Sequence, residues 1–130
     1  MGISYLWDTN TAIYCLQQLF SKEAEDFIDS ILKESVPAIS SITEIELLCW
    51  KAATNKDIVT LKNFISDSLV IELDRYIKDK TVDFRKEYSV KLPDAIIAAT
   101  AFTNNLTLIS RNTKDFEKIE GLKLINPFEL

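Results

Sequence analysis

The chain contains no histidine. That excludes a Ser-His-Asp or Cys-His triad, a histidine general base, a haem-type ligand and any zinc site built on imidazole. Whatever chemistry the chain performs therefore falls to carboxylates, hydroxyls, amides, Lys or Arg. Glycine is almost as scarce, with only Gly2 and Gly121, too few to write a phosphate-cradling P-loop or a dinucleotide fingerprint. The two cysteines, Cys15 and Cys49, stand far apart in helix-like stretches, without the close spacing of a metal knuckle or a redox pair. Both are expected to be reduced core residues. No apolar run approaches the ~20 residues of a membrane helix, and the opening MGISYLWDTN lacks a basic stretch followed by an apolar one, so a cytoplasmic location with no membrane contact is expected. Positive charge is also in deficit, because 15 Lys and Arg face 20 Asp and Glu for a net charge of −5. A grip on nucleic acid through bulk basicity is disfavoured by that balance, whereas the use of acids to hold a divalent cation is not.

What is present reads as one folded unit over residues 1–130, since 47% of the chain is apolar and 27% charged, an ordinary balance for a globular domain. Short β-like runs alternate with helix-like ones. Strands are expected at Ile3 to Trp7, Val36 to Ile39, Leu69 to Leu73, Thr107 to Ser110 and Leu122 to Ile125. Between them, helical spacing of apolar residues marks Ala12 to Phe20, Lys22 to Glu34, Ile42 to Thr54, Asp57 to Asp67, Arg75 to Tyr88 and Asp94 to Thr103. Asp8-Thr9-Asn10 and Ser40-Ser41 supply helix-start chemistry, and Pro93 opens the last of these helices. Strands separated by helices predict an α/β fold with a mostly parallel sheet of about five strands covered on both faces.

Open parallel sheets bind ligands beyond the carboxyl ends of their strands, and acids stand there. Asp8 follows the first strand, Glu46 lies in the second turn of the helix after the second, Asp94 opens the helix that feeds the fourth, and Asp115 lies shortly beyond Ser110. Glu46 shares a helical face with Ile42, Cys49 and Ala53, with Ala52 close by. A carboxylate on an apolar face is near an edge, paired with a cation, or functional. The other three each admit an ordinary explanation: an Asx turn and cap for Asp8, a helix start for Asp94, a solvated polar loop for Asp115. As a set they are more informative, because carboxylates brought within ~4–6 Å of one another must protonate or share a cation. Clusters of Asp and Glu without His or Cys select hard cations such as Mg2+ or Mn2+.

YLWDTN, SSITEIEL, LPDAIIAATA and LISRNTKDFEKIEGLKLINP, in this order across nearly the whole chain, resemble the PIN-domain ribonucleases, and within them the VapC toxins of bacterial toxin–antitoxin pairs. The resemblance implies a three-layer α/β/α sandwich and hydrolysis of RNA phosphodiesters with Mg2+ or Mn2+. Carried over position by position, the family's acids match Asp8, Glu46, Asp94 and Asp115, both as metal ligands and as catalytic residues. Asn112 stands where many relatives carry an aspartate, and Glu44 matches no family acid. Thr9, Asn10, Ser41, Thr43 and Asn112 are implied as accessory residues that orient carboxylates or water. Among the scattered cations, Arg111, beside the expected site, is the one singled out as a contact to RNA phosphate. The partners implied are RNA, a small VapB-like antitoxin lying in an apolar groove, and a second copy of the chain in a homodimer.

Three readings of other kinds compete. A receiver-type phosphoacceptor lacks support because no adjacent acidic pair stands near the first strand, and an aspartyl-nucleophile phosphatase would want an acid where Asn10 stands. A catalytically weak or inactive module of the same fold that binds RNA or a partner is opposed only by the presence of Asp8, Glu46 and Asp94.

Overall fold

The computed structural model describes residues 4–51 and 53–129; the expectations that fall on Ile3 and Ala52 lie outside the described residues. The elements run in the order β1 (Tyr5–Trp7), α1 (Thr9–Leu16), α2 (Lys22–Glu34), β2 (Ala38–Ser40), α3 (Ser41–Leu48), α4 (Asn55–Asp67), β3 (Leu69–Ile71), α5 (Arg75–Glu87), α6 (Leu92–Thr103), β4 (Thr107–Ile109), α7 (Thr113–Phe116) and β5 (Leu124–Ile125), with a 3-10 turn at Pro127–Glu129. The strands form one parallel sheet in the order β3-β2-β1-β4-β5.

Alternation along each strand divides the core into two layers. Leu6, Ala38 and Leu108 face one side, where Ile77, Phe84, Ala95, Ala98 and Phe116 of α5, α6 and α7 cover them. Trp7, Ile39 and Ile109 face the other, against Ala12, Ile28, Ile31 and Leu47, with Phe64 and Ile65 of α4 packed beside them. The three-layer sandwich expected from the sequence is the architecture observed.

Strand order, more than strand count, decides where a ligand can sit. The chain lays down β1, β2 and β3 in one direction and then crosses back to place β4 on the other side of β1. The carboxyl ends of β1 and β4 therefore flank the point where the order reverses, which is where ligands bind in open α/β sheets.

Local chemistry explains where the elements depart from their expected bounds. The helix expected to run from Ile42 to Thr54 stops at Leu48, because Thr54 is committed to the next helix. Its hydroxyl accepts from the Asp57 amide while the Asp57 carboxylate accepts from the Thr54 amide, a capping box that starts α4 at Asn55, two residues before the expected start at Asp57. Cys49 consequently sits past the helix end and is exposed, not in the core; Cys15 is half-buried, and both are free. The polar stretch after β4 contains the one-turn helix α7, pinned by Phe116, which is buried.

Candidate functional site

The site begins with Asp8. It directly follows β1 and caps α1, its Oδ1 accepting from the Thr11 amide at 2.8 Å. The cap explanation offered by the sequence is thus correct, yet it does not exhaust the residue, because Asp8 is only 6% exposed. Burial pushes its carboxyl above the ordinary value, hydrogen bonds from Ser110 and Thr11 oppose the rise, and Glu46 adds repulsion. Thr11 also ties α1 to β4, its hydroxyl donating to the Ile109 carbonyl at 2.9 Å.

Glu46 arrives from α3, which Ser40 starts by accepting from the Ile42 amide. Since α3 ends at Leu48, Glu46 does not share a long apolar face with Cys49 and Ala53; it is half-buried on the side of Thr43. Thr9 Oγ1 lies 2.6 Å from Glu46 Oε1 and 3.1 Å from Thr43 Oγ1. One hydroxyl proton serves one acceptor. The charged carboxylate takes it, and Thr43 completes the chain by donating to Thr9.

Asp94 lies in the first turn of α6, behind Pro93. Lys91, not Asp94, occupies the cap position, so the helix-start explanation accounts for its placement but gives its carboxylate no capping bond. Burial raises its pKa most, followed by repulsion from Asp115, Asp8 and Glu46, with Lys91 opposing weakly. Asp94 thus feels the other three acids singled out by sequence, and Asp8 feels Glu46.

Asp8, Thr9, Asn10, Glu46, Asp94, Ile97 and Asn112 line a single hollow of about 110 Å³ at the switch point. Asp115 stands at its margin: its Oδ2 accepts from Asn112 Nδ2 at 3.0 Å, and it lines an adjoining hollow. Thr43 reaches the site through Thr9, while Ser41 begins α3 and does not line the hollow. Arg111 also lies outside it, exposed, with its guanidinium 4.8 Å from the Phe128 ring centroid and 5.9 Å from that of Tyr14. Phe102 lies at the far end of α6 from Asp94, under Lys80. The residue that sequence reasoning misses is Ser110. Buried at the end of β4, it supports Asp8 and accepts from the Asn112 amide at 3.0 Å. Its position immediately after a strand, like that of Asp8, is the signal that could have found it.

The donor set consists of carboxylate, hydroxyl and amide oxygens, which suits Mg2+ or Mn2+ and not zinc. The ion pairs among the described residues, Lys22–Asp26, Arg75–Asp79 and Lys80–Asp83, include none of these acids. Among the described residues no three acidic groups stand close enough to hold one ion as placed. Asp8, Glu46 and Asp115 instead point at their own protein donors, an arrangement that lowers mutual repulsion. The group fits a hard cation by its chemistry and by its need for one.

The chain is similar to known proteins over nearly its whole length. The PIN domain family model matches residues 5–122. The tRNA(fMet)-specific endonuclease VapC of Salmonella typhimurium is 28% identical over an alignment of 130 residues that covers 94% of this chain and 96% of that protein. The protein of the same name from Shigella flexneri is 25% identical, with 93% and 96% covered. Among solved structures, a chain of the toxin-antitoxin complex from Klebsiella pneumoniae is 35% identical with a TM-score of 0.78, covering 98% of this chain and 100% of that one. A chain of VapBC2 from Rickettsia felis, bound to a DNA fragment from its promoter, is 25% identical with a TM-score of 0.80 and 97% and 98% coverage.

Proposed function

The chain belongs to the PIN-domain family, whose model spans residues 5–122, and from that premise we propose that it is a metal-dependent endoribonuclease, the VapC-type toxin of a toxin–antitoxin pair. The observation that carries the proposal is the convergence of Asp8, Glu46 and Asp94 on one hollow at the switch point of the sheet. Relatives named as tRNA(fMet)-specific endonucleases support RNA as the substrate, and the toxin–antitoxin complexes among the similar structures support a small VapB-like antitoxin as the partner. Ile45 and Leu48 on α3 and Val59 on α4 are exposed and offer the apolar surface that an antitoxin segment would cover. A homodimer and a cytoplasmic location belong to the same reading. No helix among the described residues is long and apolar enough to cross a membrane.

Asp8, Glu46 and Asp94, with Asp115 at the margin, would hold Mg2+ or Mn2+. A divalent cation held there would supply the acidification of a water and would offset charge developing on the phosphodiester. The chain's own residues do the rest. Thr11 and Ser110 fix Asp8, Thr9 orients Glu46, and Asn112 anchors Asp115. Asp94, half-buried and open to the hollow, takes the proton of the attacking water, while the enclosed and hydrogen-bonded Asp8 stays fixed.

The test is cleavage of RNA by the purified chain with Mg2+ or Mn2+, stopped by EDTA. Asp8→Asn and Asp94→Asn should each lose more than about a hundredfold in rate, beyond the 10–100-fold expected for a supporting partner, while still melting cooperatively. Undiminished cleavage by both variants would assign the activity to a contaminant. RNA or antitoxin binding without turnover at any metal concentration would replace the enzyme by a binding module of the same fold.

A further inference from the structure

We propose that the hollow between α5 and α6, lined by Arg85, Ser89, Val90, Lys91 and Asp115, is a subsite for an RNA backbone phosphate flanking the scissile one. The inference rests on the nuclease reading and adds to it the place where the strand is gripped.

In a chain of net charge −5, long-range attraction to a polyanion is absent, so affinity must come from local cations. Three of them gather at the turn between α5 and α6. Arg85 and Lys91 line a hollow of about 270 Å³, and Lys118 Nζ donates to the Ser89 carbonyl on the same turn at 2.6 Å. Arg85 Nη1 donates to the Val90 carbonyl at 2.6 Å, which fixes the guanidinium and leaves the remaining donors of its fork for an anion. Among the described residues none of the three is in an ion pair.

The hollow adjoins the acid site. Asp115 lines it and bonds Asn112, which lines the acid hollow. The Asn112–Asp115 pair is therefore the wall between a place that needs a cation before it accepts a phosphate and a place that already carries cations. A strand lying across this wall puts one phosphate on each side.

The experiment compares a short RNA that carries only the scissile phosphate with a longer one, in steady-state cleavage by the wild type, Lys91→Gln and the double variant Arg85→Gln/Lys91→Gln. The wild type should show a lower KM for the longer RNA. The double variant should raise that KM about tenfold, the scale of a lost charged hydrogen bond, with kcat held, and should leave the short RNA unaffected. Its binding to the longer RNA should lose about 1.4 from the slope of log affinity against log salt. Lys91→Gln alone, at an exposed position, guards against loss of the turn that Arg85 supports, Lys91→Arg should restore the wild-type KM, and Lys33→Gln on α2 should change nothing. If the variants keep the advantage of the longer RNA, the subsite is refuted and the nuclease reading stands. An equal loss on both RNAs with a shifted pH profile would mean that Lys91 acts on Asp94 alone, which also refutes it. If antitoxin affinity falls while KM holds, the surface serves the protein partner and the proposal fails. A wild type that cuts neither RNA overturns both readings together.

Discussion

Thr9 is the residue on which the geometry of Glu46 depends. Its hydroxyl gives its one proton to the carboxylate at 2.6 Å and takes another from Thr43 at 3.1 Å, so the Glu46 rotamer is set from α1 and not from its own helix. Thr9→Val keeps the β-branched shape and removes both bonds. RNA cleavage should fall about 10–100-fold with little change in melting temperature, and Thr9→Ser should restore most of it. A Thr9→Val enzyme at full rate would show that Glu46 needs no such support. The same hydrogen bond explains a limit on what the sequence can reveal. Helical spacing singles out Glu46 as a carboxylate on an apolar face, but α3 ends at Leu48, and the partners that matter are 34 and 37 residues apart along the chain. Spacing along one helix carries no information about such a neighbour.

At the scale of elements, strands and helices are legible wherever one periodicity runs uninterrupted. The expected and observed bounds of Lys22–Glu34 coincide, because a capped, amphipathic run of that length has one solution. Boundaries fail where two helices adjoin, since the Thr54–Asp57 capping box decides the break by hydrogen bonds that apolar spacing does not reveal. They fail again after β4, where Phe116 alone anchors one turn of helix. Gly121 stands in the turn that leads into β5. Gly121 has φ +84°, and a Cβ there would stand 3.1 Å from Phe102 Cε2. Gly121→Ala should therefore cost about 1–2 kcal/mol in urea unfolding, through backbone strain together with displacement of a ring that packs on Phe84. A variant as stable as the wild type would mean that this turn relaxes freely.

For the molecule as a whole, the acid site stores unfavourable electrostatic energy that a bound cation would release. Asp8 and Asp94 both titrate above their ordinary value of 3.8, chiefly through burial. The folded state consequently holds these two protons more tightly than the unfolded chain does. Below 3.8 both states are protonated and the groups cost nothing; as pH rises from there through the folded values the penalty grows, and above them it is present in full. Asp94→Asn removes one source of it, along with the repulsion Asp94 exerts on Asp8. Without divalent metal, its melting temperature should exceed that of the wild type by a margin that widens as pH rises across this window. Added Mg2+ should reverse the order. It binds the ionised site, so the wild type should gain about 2.7 kcal/mol at a hundredfold excess over Kd, on the order of 10 °C in Tm for a chain of this size, and the gain should shrink as acid protonates the carboxylates. Asp94→Asn should gain far less. Thermal melts of both proteins at several pH values, with and without Mg2+, read all of this at once. If the wild type without metal is as stable as Asp94→Asn across the range and Mg2+ moves neither, the four acids do not form the strained, cation-seeking group on which the nuclease mechanism depends.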